Sequence, residues 1–404
     1  MAHVVSLARF TLLLMILTYQ YRLLPSKRQH RALEALLESQ RQLYNAALEE
    51  RIGAYRRGVI RGYIDQTRGL TEWRHSDPDA AYLPVNLQRA TLKRLDEAYK
   101  GFFRRLKQKG AKAGFPRFRG KGWWNSFGFR EFLGISFDGA RLRYKGMPGA
   151  LRVHLHRPLG GDGRIRSCSF KRDTQGWKIA LIVDVEAASS STGERMVGID
   201  LGITRFAALS DGGCIPSLRA ARRAYRRLRL AQRALARKRP GSASRRKARA
   251  GLARAYTDVA HRRLNQLHQA TARIVRDYDV IAIETLNIKQ LARSMLARDV
   301  RDAAWAKFIS LLRYKAEKAG ARLIEVNSKY SSQDCSDCGE RVSKELEDRQ
   351  HQCPRCGLSI DRDLNAARNI LKWAGVRPDL RNVTGCGMRA GGNLSRASTE
   401  SSAD

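Results

Sequence analysis

Residues 196–202 read MVGIDLG, an apolar run that carries one acidic residue, Asp200, between two glycines. A short apolar run bounded by glycine predicts a buried β-strand. A second run, residues 279–284 (DVIAIE), ends on Glu284. A carboxylate in or at the end of a buried strand is costly unless it pairs with a cation or binds a metal ion. The two runs therefore predict an α/β sheet whose acidic side chains need a positive partner.

A third acidic position opens a predicted helix at residues 361–371, DRDLNAARNIL. Asp361 suits the helix N-cap, where a carboxylate accepts backbone hydrogen bonds. Asp363 is followed by small residues that permit close packing, so it is the better candidate to face the sheet. Ion pairing of these acids with neighbouring cations is the alternative to metal binding.

Asp200, Glu284 and Asp363 together suggest a hydrolytic metal site. Hard carboxylate oxygens suit Mg²⁺ or Mn²⁺, and two such ions about 4 Å apart can drive phosphodiester hydrolysis. The sequence contains no G-x-x-x-x-G-K-S/T motif, no H-E-x-x-H motif and no Ser-His-Asp grouping to compete for this role. We therefore predict two divalent ions at these three acids.

The cysteines predict a second metal site of a different kind. Two knuckles, residues 335–339 (CSDCG) and 353–357 (CPRCG), form C-x-x-C, fourteen residues, C-x-x-C. Four thiolates at this spacing can meet one tetrahedral Zn²⁺. Because all four positions are filled by Cys335, Cys338, Cys353 and Cys356, no position is left for water, and the zinc is predicted to be structural. His351 lies nearby but is surplus to the tetrahedron.

The charge of the chain identifies the class of partner. Its 404 residues include 77 Lys and Arg against 38 Asp and Glu, a net charge of +39. Such an excess on a folded protein calls for a polyanion, and nucleic acid is the expected one. A GC-rich genome would explain the preference for Arg over Lys but not the shortage of acids.

The apolar run at residues 10–17 (FTLLLMIL) is too short to span a bilayer and lacks a clear cleavage site. We therefore predict a cytoplasmic protein with no membrane partner. Part of this run is predicted to form a first strand, because residues 19–23 alternate between apolar and polar. Met15 is an alternative start.

Three basic segments are predicted to contact nucleic acid. They are the helix after Pro84, the glycine-aromatic segment 107–130, and an Arg-rich helical hairpin over residues 219–277. Cations hold phosphates while exposed rings stack on bases; solvated basic faces and core aromatics are the alternatives. The candidate contacts are Arg89, Lys93, Arg117, Arg119, Lys121, Trp123, Arg222, Arg226, Arg229 and Arg233.

Further elements follow from local patterns. Ser26 and Gln29 predict a capping box for a helix over 26–51. Strands are predicted within 131–187 as a small β-barrel or sandwich, with a hairpin turn at 173–176. Residues 187–193 (AASSSTG) read as a linker. A helix over 302–320 and a strand over 322–326 precede the cysteine knuckles.

The combination of VGIDLG, IAIETL, two CxxCG knuckles and DRDLNAARNIL resembles the RuvC nuclease segments of the TnpB (OrfB) proteins of insertion sequences, relatives of type V CRISPR effectors. The segments TYQYRLLPSKRQ and LQRATLKRLDEAYKGFFRRLKQKGAKAGFPRFRGK resemble the same family. The resemblance runs from about Leu17 to Trp373, with its motifs in the family's order.

The resemblance implies a multidomain α+β protein: an RNase H-like (RuvC) α/β nuclease domain with a zinc-ribbon insertion, plus an N-terminal β-barrel wedge domain that carries an inserted helical recognition lobe. The expected layout is an N-terminal extension (1–14), regarded as dispensable, wedge (15–25), recognition (26–114), wedge (115–188), nuclease (189–333), zinc ribbon (334–358), nuclease (359–375) and a disordered tail (376–404) with a spare thiol at Cys386.

The resemblance also implies an activity, RNA-guided cleavage of double-stranded DNA next to a short transposon-associated motif. A guide RNA from the element's end would pair with the target strand, with one protein chain per RNA, and the protein would grip the heteroduplex by its backbone. The family's catalytic acids carry over to Asp200, Glu284 and Asp363, and its zinc ligands to the four cysteines. A nuclease-inactive guided repressor and a transposase acting in strand transfer are the alternatives.

Overall fold

The computed structural model describes residues 14–108, 110, 112–160, 164–188, 193–202, 204–216, 222–285, 304–345 and 348–375. The chain divides into two compact units, Met1–Glu186 and Ala187–Asp404. Most of the predicted extension (1–14), the centre of the predicted linker and the predicted tail with Cys386 lie outside the described residues.

The first unit is built on one seven-stranded antiparallel sheet with the order β2-β6-β7-β1-β5-β4-β3. Its longest strands are β1 and β7, which pair from Leu14↔Glu186 to Arg22↔Lys178. The strands are β1 (Leu14–Leu24), β2 (Ser126–Phe129), β3 (Ile135–Phe137), β4 (Arg141–Tyr144), β5 (Leu151–His154), β6 (Ile165–Asp173) and β7 (Gly176–Glu186).

One expectation for this sheet needs correction and two are confirmed. The predicted barrel or sandwich is a single sheet, and its edge strands β2 and β3 do not pair with each other within the described residues. The prediction that part of residues 10–17 forms the first strand is confirmed, since β1 begins at Leu14 and β7 offers a partner to each residue from Leu14 to Arg22. The predicted hairpin turn is confirmed, since Asp173 pairs with Gly176.

Helices α1 (Lys27–Arg56), α2 (Tyr63–Ser76), α3 (Pro78–Tyr82) and α4 (Val85–Leu106) lie between β1 and β2 in the chain. The capping box of α1 is confirmed, because Gln29 N donates to Ser26 Oγ at 3.2 Å and Ser26 N to Gln29 Oε1 at 3.0 Å. Helix α1 runs past the predicted end at 51 and stops before Gly58, whose φ of 76° ends it. Sequence reasoning missed α2 and α3, although Asp77-Pro78 is an N-cap followed by proline.

The second unit contains a five-stranded sheet with the order β10-β9-β8-β11-β12. Strand β8 pairs in parallel with β11 and β11 with β12, whereas β9 and β10 run antiparallel. The strands are β8 (Met196–Leu201), β9 (Arg205–Leu209), β10 (Cys214–Pro216), β11 (Val280–Glu284) and β12 (Arg322–Val326). The predicted pair of acid-bearing strands is thus the centre of an α/β sheet.

Helices cover both faces of this sheet. They are α6 (Ala243–Asp277), α7 (Trp305–Ala319) and α8 (Arg362–Trp373), while α5 (Arg222–Ala236) packs against α6. On one face Val197, Ile199 and Leu201 pack with residues of α6 and α7 such as Leu267 and Phe308. On the other face Val280 and Ala282 pack against Ile370 and Leu371 of α8. Alternate residues of β8 and β11 therefore face opposite layers.

A short hairpin of β13 (Gln350–Gln352) and β14 (Ser359–Asp361) precedes α8 and carries the second cysteine knuckle in its loop. Among the described helices, none is both long and apolar enough to cross a membrane.

Candidate metal centres and nucleic-acid interface

The parallel strands β8 and β11 bring Asp200 and Glu284 to the same edge of the sheet. Ile283 is in register with Ile199, so Glu284 lies beside Asp200. Glu284 is buried, and its carboxylate accepts hydrogen bonds from Leu201 N (3.3 Å) and Ser328 Oγ (2.9 Å). The side chain of Glu284 is thereby held over the end of β8.

Gly198 determines how closely α8 approaches β8. A Cβ atom at Gly198 would lie 2.1 Å from the carbonyl oxygen of Ala367 and 2.9 Å from Leu371 N, so only glycine allows this approach. Asp200 follows Gly198 by two strand residues, about 6.6 Å. Asp363 precedes Ala367 by four helix residues, about 6 Å. The crossing at Gly198 therefore brings the start of α8 over Asp200.

The pKa values of two acids at this edge, Asp200 and Glu284, are raised above their ordinary values. Burial, followed by the charges of Glu284 and Asp363, raises the pKa of Asp200 well above its ordinary value. Burial also raises the pKa of Glu284, while its bonds from Ser328 and Leu201 act in the opposite direction. Carboxylates whose pKa is raised in this way bind a cation readily, because a cation offsets the cost of their burial and their mutual repulsion.

Asp361 and Asp363 have different roles at the start of α8. Asp361 is the N-cap, and its Oδ1 accepts from Asp363 N at 3.0 Å and Leu364 N at 3.2 Å. Its other oxygen, Oδ2, lies 2.8 Å from Arg205 Nη1. Asp363 Oδ1 lies 3.6 Å from Arg362 Nε. The capping role expected of Asp361 is confirmed, and the charges of Asp363 and Asp361 both contribute to the raised pKa of Asp200.

The four cysteine sulfurs form a compact group. Cys335 Sγ lies 3.6 Å from Cys356 Sγ, and Cys338 Sγ lies 3.5 Å from Cys353 Sγ. Zn–S bonds of about 2.3 Å in a tetrahedron place sulfurs about 3.8 Å apart, so the group fits a structural zinc ion. In the described part of the chain, it is the one group of three or more His, Cys, Asp and Glu ligand atoms all within 4.8 Å of one another. The three carboxylates are more widely spaced.

Both knuckles have the same backbone geometry. Cys335 N donates to Glu340 O at 2.8 Å and Gly339 N to Cys335 O at 3.0 Å; Cys353 N donates to Leu358 O at 2.9 Å and Gly357 N to Cys353 O at 3.0 Å. Gly339 and Gly357 have φ of 81° and 75°, which accounts for glycine after each cysteine pair.

The thiols of this group differ in acidity. Burial raises the pKa of the Cys335 thiol to about 12. The N–H groups of Cys356 and Arg355 lower the pKa of Cys353 to about 7. Because the thiolate is the form that binds metal, a cation at the centre of the group would stabilise all four sulfurs.

The first knuckle is anchored to α8 by two buried asparagines that sequence reasoning missed. Asn369 Nδ2 donates to Ser331 O at 2.8 Å and Asp334 O at 2.6 Å, and Asn365 Nδ2 to Asp334 O at 2.8 Å. Ser336 N donates back to Asn365 Oδ1 at 2.9 Å. The spacing of four between Asn365 and Asn369, which places them on one helix face, was the available signal.

The predicted nucleic-acid contacts of the first unit are mostly exposed. Arg89, Arg117, Arg119, Lys121 and Trp123 are all exposed. Lys93 is half-buried, because its Nζ lies 3.2 Å from Asp96 and 4.7 Å from the centre of the Tyr63 ring. Lys93 thus has a structural role that Arg89 lacks.

The aromatic rings of segment 107–130 divide into two classes. Phe115, Phe118 and Trp123 are exposed, as stacking on bases requires. Trp124, Phe127 and Phe129 are buried in the core of the first unit. For these three rings the alternative interpretation, core packing, is correct: β2 alternates its side chains between the two faces of the sheet, which buries Phe127 and Phe129, and Trp124 packs against the Tyr44 ring.

The Arg-rich hairpin is confirmed as two packed helices, α5 and α6, joined around Pro240-Gly241. Ala224, Leu228 and Val259 form their shared apolar contact. Arg226, Arg229 and Arg233 are exposed, and the side chain of Arg222 lies outside the described residues. Asp258, the one acid between Arg222 and Arg276, pairs with Arg262 at 3.1 Å. The outer face of α5 is therefore strongly positive.

Three family models match the chain. They are described as "Helix-turn-helix domain" (residues 15–59), "Probable transposase" of the OrfB type (180–295) and "Cas12f1-like, TNB domain" (305–370). The first of these matches spans β1 and the single long helix α1, which do not form a helix-turn-helix. The other two cover most of the five-stranded sheet and the cysteine knuckles.

Relatives match along nearly the whole chain. A protein of Streptomyces pristinaespiralis described as "Putative RNA-guided DNA endonuclease" is 33% identical over 87% of this chain and 88% of its own length. A protein of Escherichia coli K12, "Putative RNA-guided DNA endonuclease InsQ", is 25% identical over 87% of this chain and 91% of its own.

Among solved structures, the cryo-EM structure of a Cas12f1-sgRNA-target DNA complex matches with a TM-score of 0.55 at 14% identity, covering 85% of this chain and 83% of that one. This match shows a shared fold. Given the relative that is 33% identical over most of both chains and the matching OrfB model, the chain belongs to the TnpB (OrfB) family of insertion-sequence proteins.

Proposed function

We propose that this protein is an RNA-guided endonuclease of a transposable element that cuts double-stranded DNA beside a short adjacent motif. The observation that supports the proposal is the close crossing of α8 and β8 at Gly198, which brings the start of α8, with Asp363, toward the strand ends that carry Asp200 and Glu284. The descriptions of the two bacterial relatives as RNA-guided DNA endonucleases support the same activity.

The three carboxylates are suited to hold two Mg²⁺ or Mn²⁺ ions, because their donor atoms are all hard oxygens and because burial and the charges of Glu284 and Asp363 raise the pKa of Asp200, a cost that a bound cation would offset. When bound, such ions supply activation of a water nucleophile and neutralisation of the leaving 3′ oxygen. Asp200, on a buried strand, and Glu284, held by Ser328 and Leu201, provide rigid ligands. Asp363 closes the site from α8.

The positive surfaces of the two units are suited to the guide RNA and the target DNA. In the second unit the exposed arginines of α5 form a phosphate-binding face next in sequence to the nuclease strands. In the first unit Arg89 and the cations of segment 107–130 form another. When base pairing with the guide RNA recognises the target sequence, the protein itself mainly contacts the phosphate backbones of the nucleic acids. Many such contacts need many cations, which accounts for the net charge of +39.

We further propose the layout and stoichiometry that the family resemblance implies. The wedge and recognition regions correspond to the sheet and helices of the first unit, and the RuvC region with its zinc ribbon to the second. The guide is RNA from the element's end, with one chain per RNA. The role proposed for the zinc is structural, since four cysteines leave no position for a substrate.

The decisive test is cleavage of a plasmid that carries the guide's target beside candidate motifs, by the protein purified with its RNA. Asp200→Ala should lower the cleavage rate by about a hundred-fold or more while RNA retention is unchanged, because a metal ligand is lost but no RNA contact. Chelation of Mg²⁺ should abolish cleavage by the parent protein, and Mg²⁺ or Mn²⁺ should restore it.

Glu325→Gln is the matched control, since Glu325 lies on β12 of the same sheet and pairs with Arg313 of α7. It should cut at the parent rate. Equal cleavage by Asp200→Ala and the parent would contradict the site. Guided binding without cleavage in either metal would indicate a repressor, and end-joined products without a guide would indicate a transposase.

A further inference from the structure

Two adjacent tryptophans in the first unit have opposite environments. Trp123 is 76% exposed, whereas Trp124 is 2% exposed. The Trp124 ring lies 5.0 Å from the Tyr44 ring, and the guanidinium of Arg94 lies 4.0 Å from its centre. Because Trp124 is fixed in the core, the backbone at this point directs Trp123 outward.

The segment before Trp123 is held in place by helix α1. The side-chain amide of Asn45 makes two bonds to Arg119, accepting from its N–H at 2.8 Å and donating to its carbonyl at 3.0 Å. Arg41 Nη1 donates to the same carbonyl at 2.7 Å. An exposed loop with three bonds to a long helix is ordered before any ligand arrives, which lowers the entropy cost of binding.

A tight turn then presents the ring. Trp123 N donates to Gly120 O at 3.0 Å, and Gly122 has φ of 91°, a conformation that favours glycine. A Cβ atom at Gly120 would lie 3.6 Å from Trp123 Cδ1, so the indole edge lies along Gly120. One edge of the ring is supported by the turn while most of its surface remains in solvent.

The charges around the ring are positive. Arg117, Arg119 and Lys121 are exposed on the same segment. Glu38, an acid of α1 whose charge interacts with that of Lys121, is already engaged by Arg41, whose hydrogen bond holds the pKa of the Glu38 carboxyl below its usual value. An exposed indole among cations is poorly suited to an apolar protein partner and well suited to a nucleobase with its phosphates.

We propose that Trp123 stacks on an unpaired nucleobase, with Arg117, Arg119 and Lys121 neutralising the adjoining phosphates. This inference rests on the proposed function insofar as nucleic acid is the partner, and it adds a specific residue and a binding mode. Unpaired bases are available both in a guide RNA and in the displaced strand of a DNA target. The shared chemistry is the exposed face of a single-stranded base.

The test uses the full chain, freed of nucleic acid and kept in EDTA so that no cleavage intervenes. Fluorescence anisotropy measures the binding of short oligo(rU) and oligo(dT) and of abasic oligomers of the same length. Trp123→Ala should weaken binding of at least one base-bearing oligomer by about five-fold to a hundred-fold. Trp123→Phe should restore part of the loss, because the ring is retained.

The matched control is Trp73→Ala. Trp73 is also exposed in the first unit, on α2, but its Nε1 donates to Asp77 at 3.0 Å. The Trp73→Ala variant should bind all the oligomers with the same affinity as the parent protein. Because Trp123 packs little of its surface, Trp123→Ala should unfold at the parent's temperature, so a binding loss is not a folding loss.

A loss confined to oligo(rU) assigns the base to RNA, and a loss confined to oligo(dT) assigns it to DNA. Unchanged binding of both by Trp123→Ala would overturn the proposal, and so would an equal loss with abasic oligomers, since stacking needs a base. The cleavage assay tests the proposed function separately. If the protein fails to cut DNA but Trp123→Ala weakens oligomer binding as expected, the nuclease proposal is wrong and the stacking proposal still holds.

Discussion

The cysteine group and the carboxylate group, both in the second unit, are assembled in different ways. All four sulfurs come from two short knuckles whose bonds are local, from Cys335 N to Glu340 O and from Cys353 N to Leu358 O. The three carboxylates come from β8, β11 and α8, separated by more than a hundred and sixty residues of chain between Asp200 and Asp363. Each cysteine pair is positioned by the bonds of its own turn, whereas the three carboxylates come together only when β8, β11 and α8 have packed against one another.

The difference also determines how each group depends on its surroundings. The sulfurs are already spaced for one ion, whereas the carboxylates are more widely spaced and repel one another. The two groups nevertheless share α8, which carries Asp363 and also binds the first knuckle through Asn365 and Asn369. Substitutions in the knuckles and substitutions at the crossing of α8 and β8 should therefore have different effects on zinc binding and on DNA cleavage.

The largest effect is expected from Cys335→Ser. Loss of one thiolate should reduce zinc content from one ion per chain to nearly none, because a tetrahedral site cannot hold zinc tightly with three sulfurs and a hydroxyl. The chain should also unfold at lower temperature. Elemental analysis and thermal denaturation measure both results. Cys214→Ser, on β10 outside the knuckles, should retain its zinc; equal zinc in both variants would contradict the site.

Gly198→Ala tests the assembly of the carboxylate edge. The new Cβ would clash with Ala367 O, so the free energy of unfolding should fall by about 1–3 kcal/mol. Displacement of Asp363 by even 1 Å should lower cleavage by roughly a hundred-fold. Zinc content should stay at one ion per chain, since the knuckles are local.

Gly251→Ala is the control for the same substitution in a helix. A Cβ at Gly251 on α6 meets nothing within 4 Å, so stability should be unchanged or rise by about 1 kcal/mol. Chemical denaturation compares the two variants. If Gly198→Ala is as stable and as active as the parent, the close crossing of α8 and β8 does not hold the site.

Asn369→Ala tests the link between the two groups. It removes the donor to Ser331 O and Asp334 O, although Asn365 still bonds both carbonyls. We expect a loss of about 1 kcal/mol in unfolding free energy and faster zinc loss to a chelator. Gln352→Ala, at an exposed position on β13, should behave as the parent. A parent-like rate of zinc loss in Asn369→Ala would mean that the knuckle does not depend on α8.

The smallest effect is expected at Asp361. Asp361→Ala loses the cap of α8 and should cost about 1 kcal/mol of unfolding free energy. Asp361→Asn keeps a capping oxygen but loses the charge that faces Arg205, so the difference between the two variants isolates capping. Urea denaturation measures it. If both variants lose equal stability, the ion pair with Arg205 matters and the cap does not.

Much of the candidate site was predictable because its signals are local. The C-x-x-C-G spacing predicted the sulfur group, and the apolar strands ending in acids predicted the central sheet. The capping role of Asp361 followed from its place before an apolar helix. The asparagines of α8 and helices α2 and α3 were missed, since a buried polar contact depends on which distant segment packs there.

The sequence alone determined the charge, the two knuckles, the amphipathic helices and the identity of the acidic residues, because each depends on residue type and short spacing. The tertiary structure decided which acids meet, because Gly198 admits α8 against β8 only once both elements have formed. It also decided that Trp123 is exposed and Trp124 buried, although they are adjacent and chemically identical. Burial depends on which face of the chain meets the core, and this only the assembled unit defines.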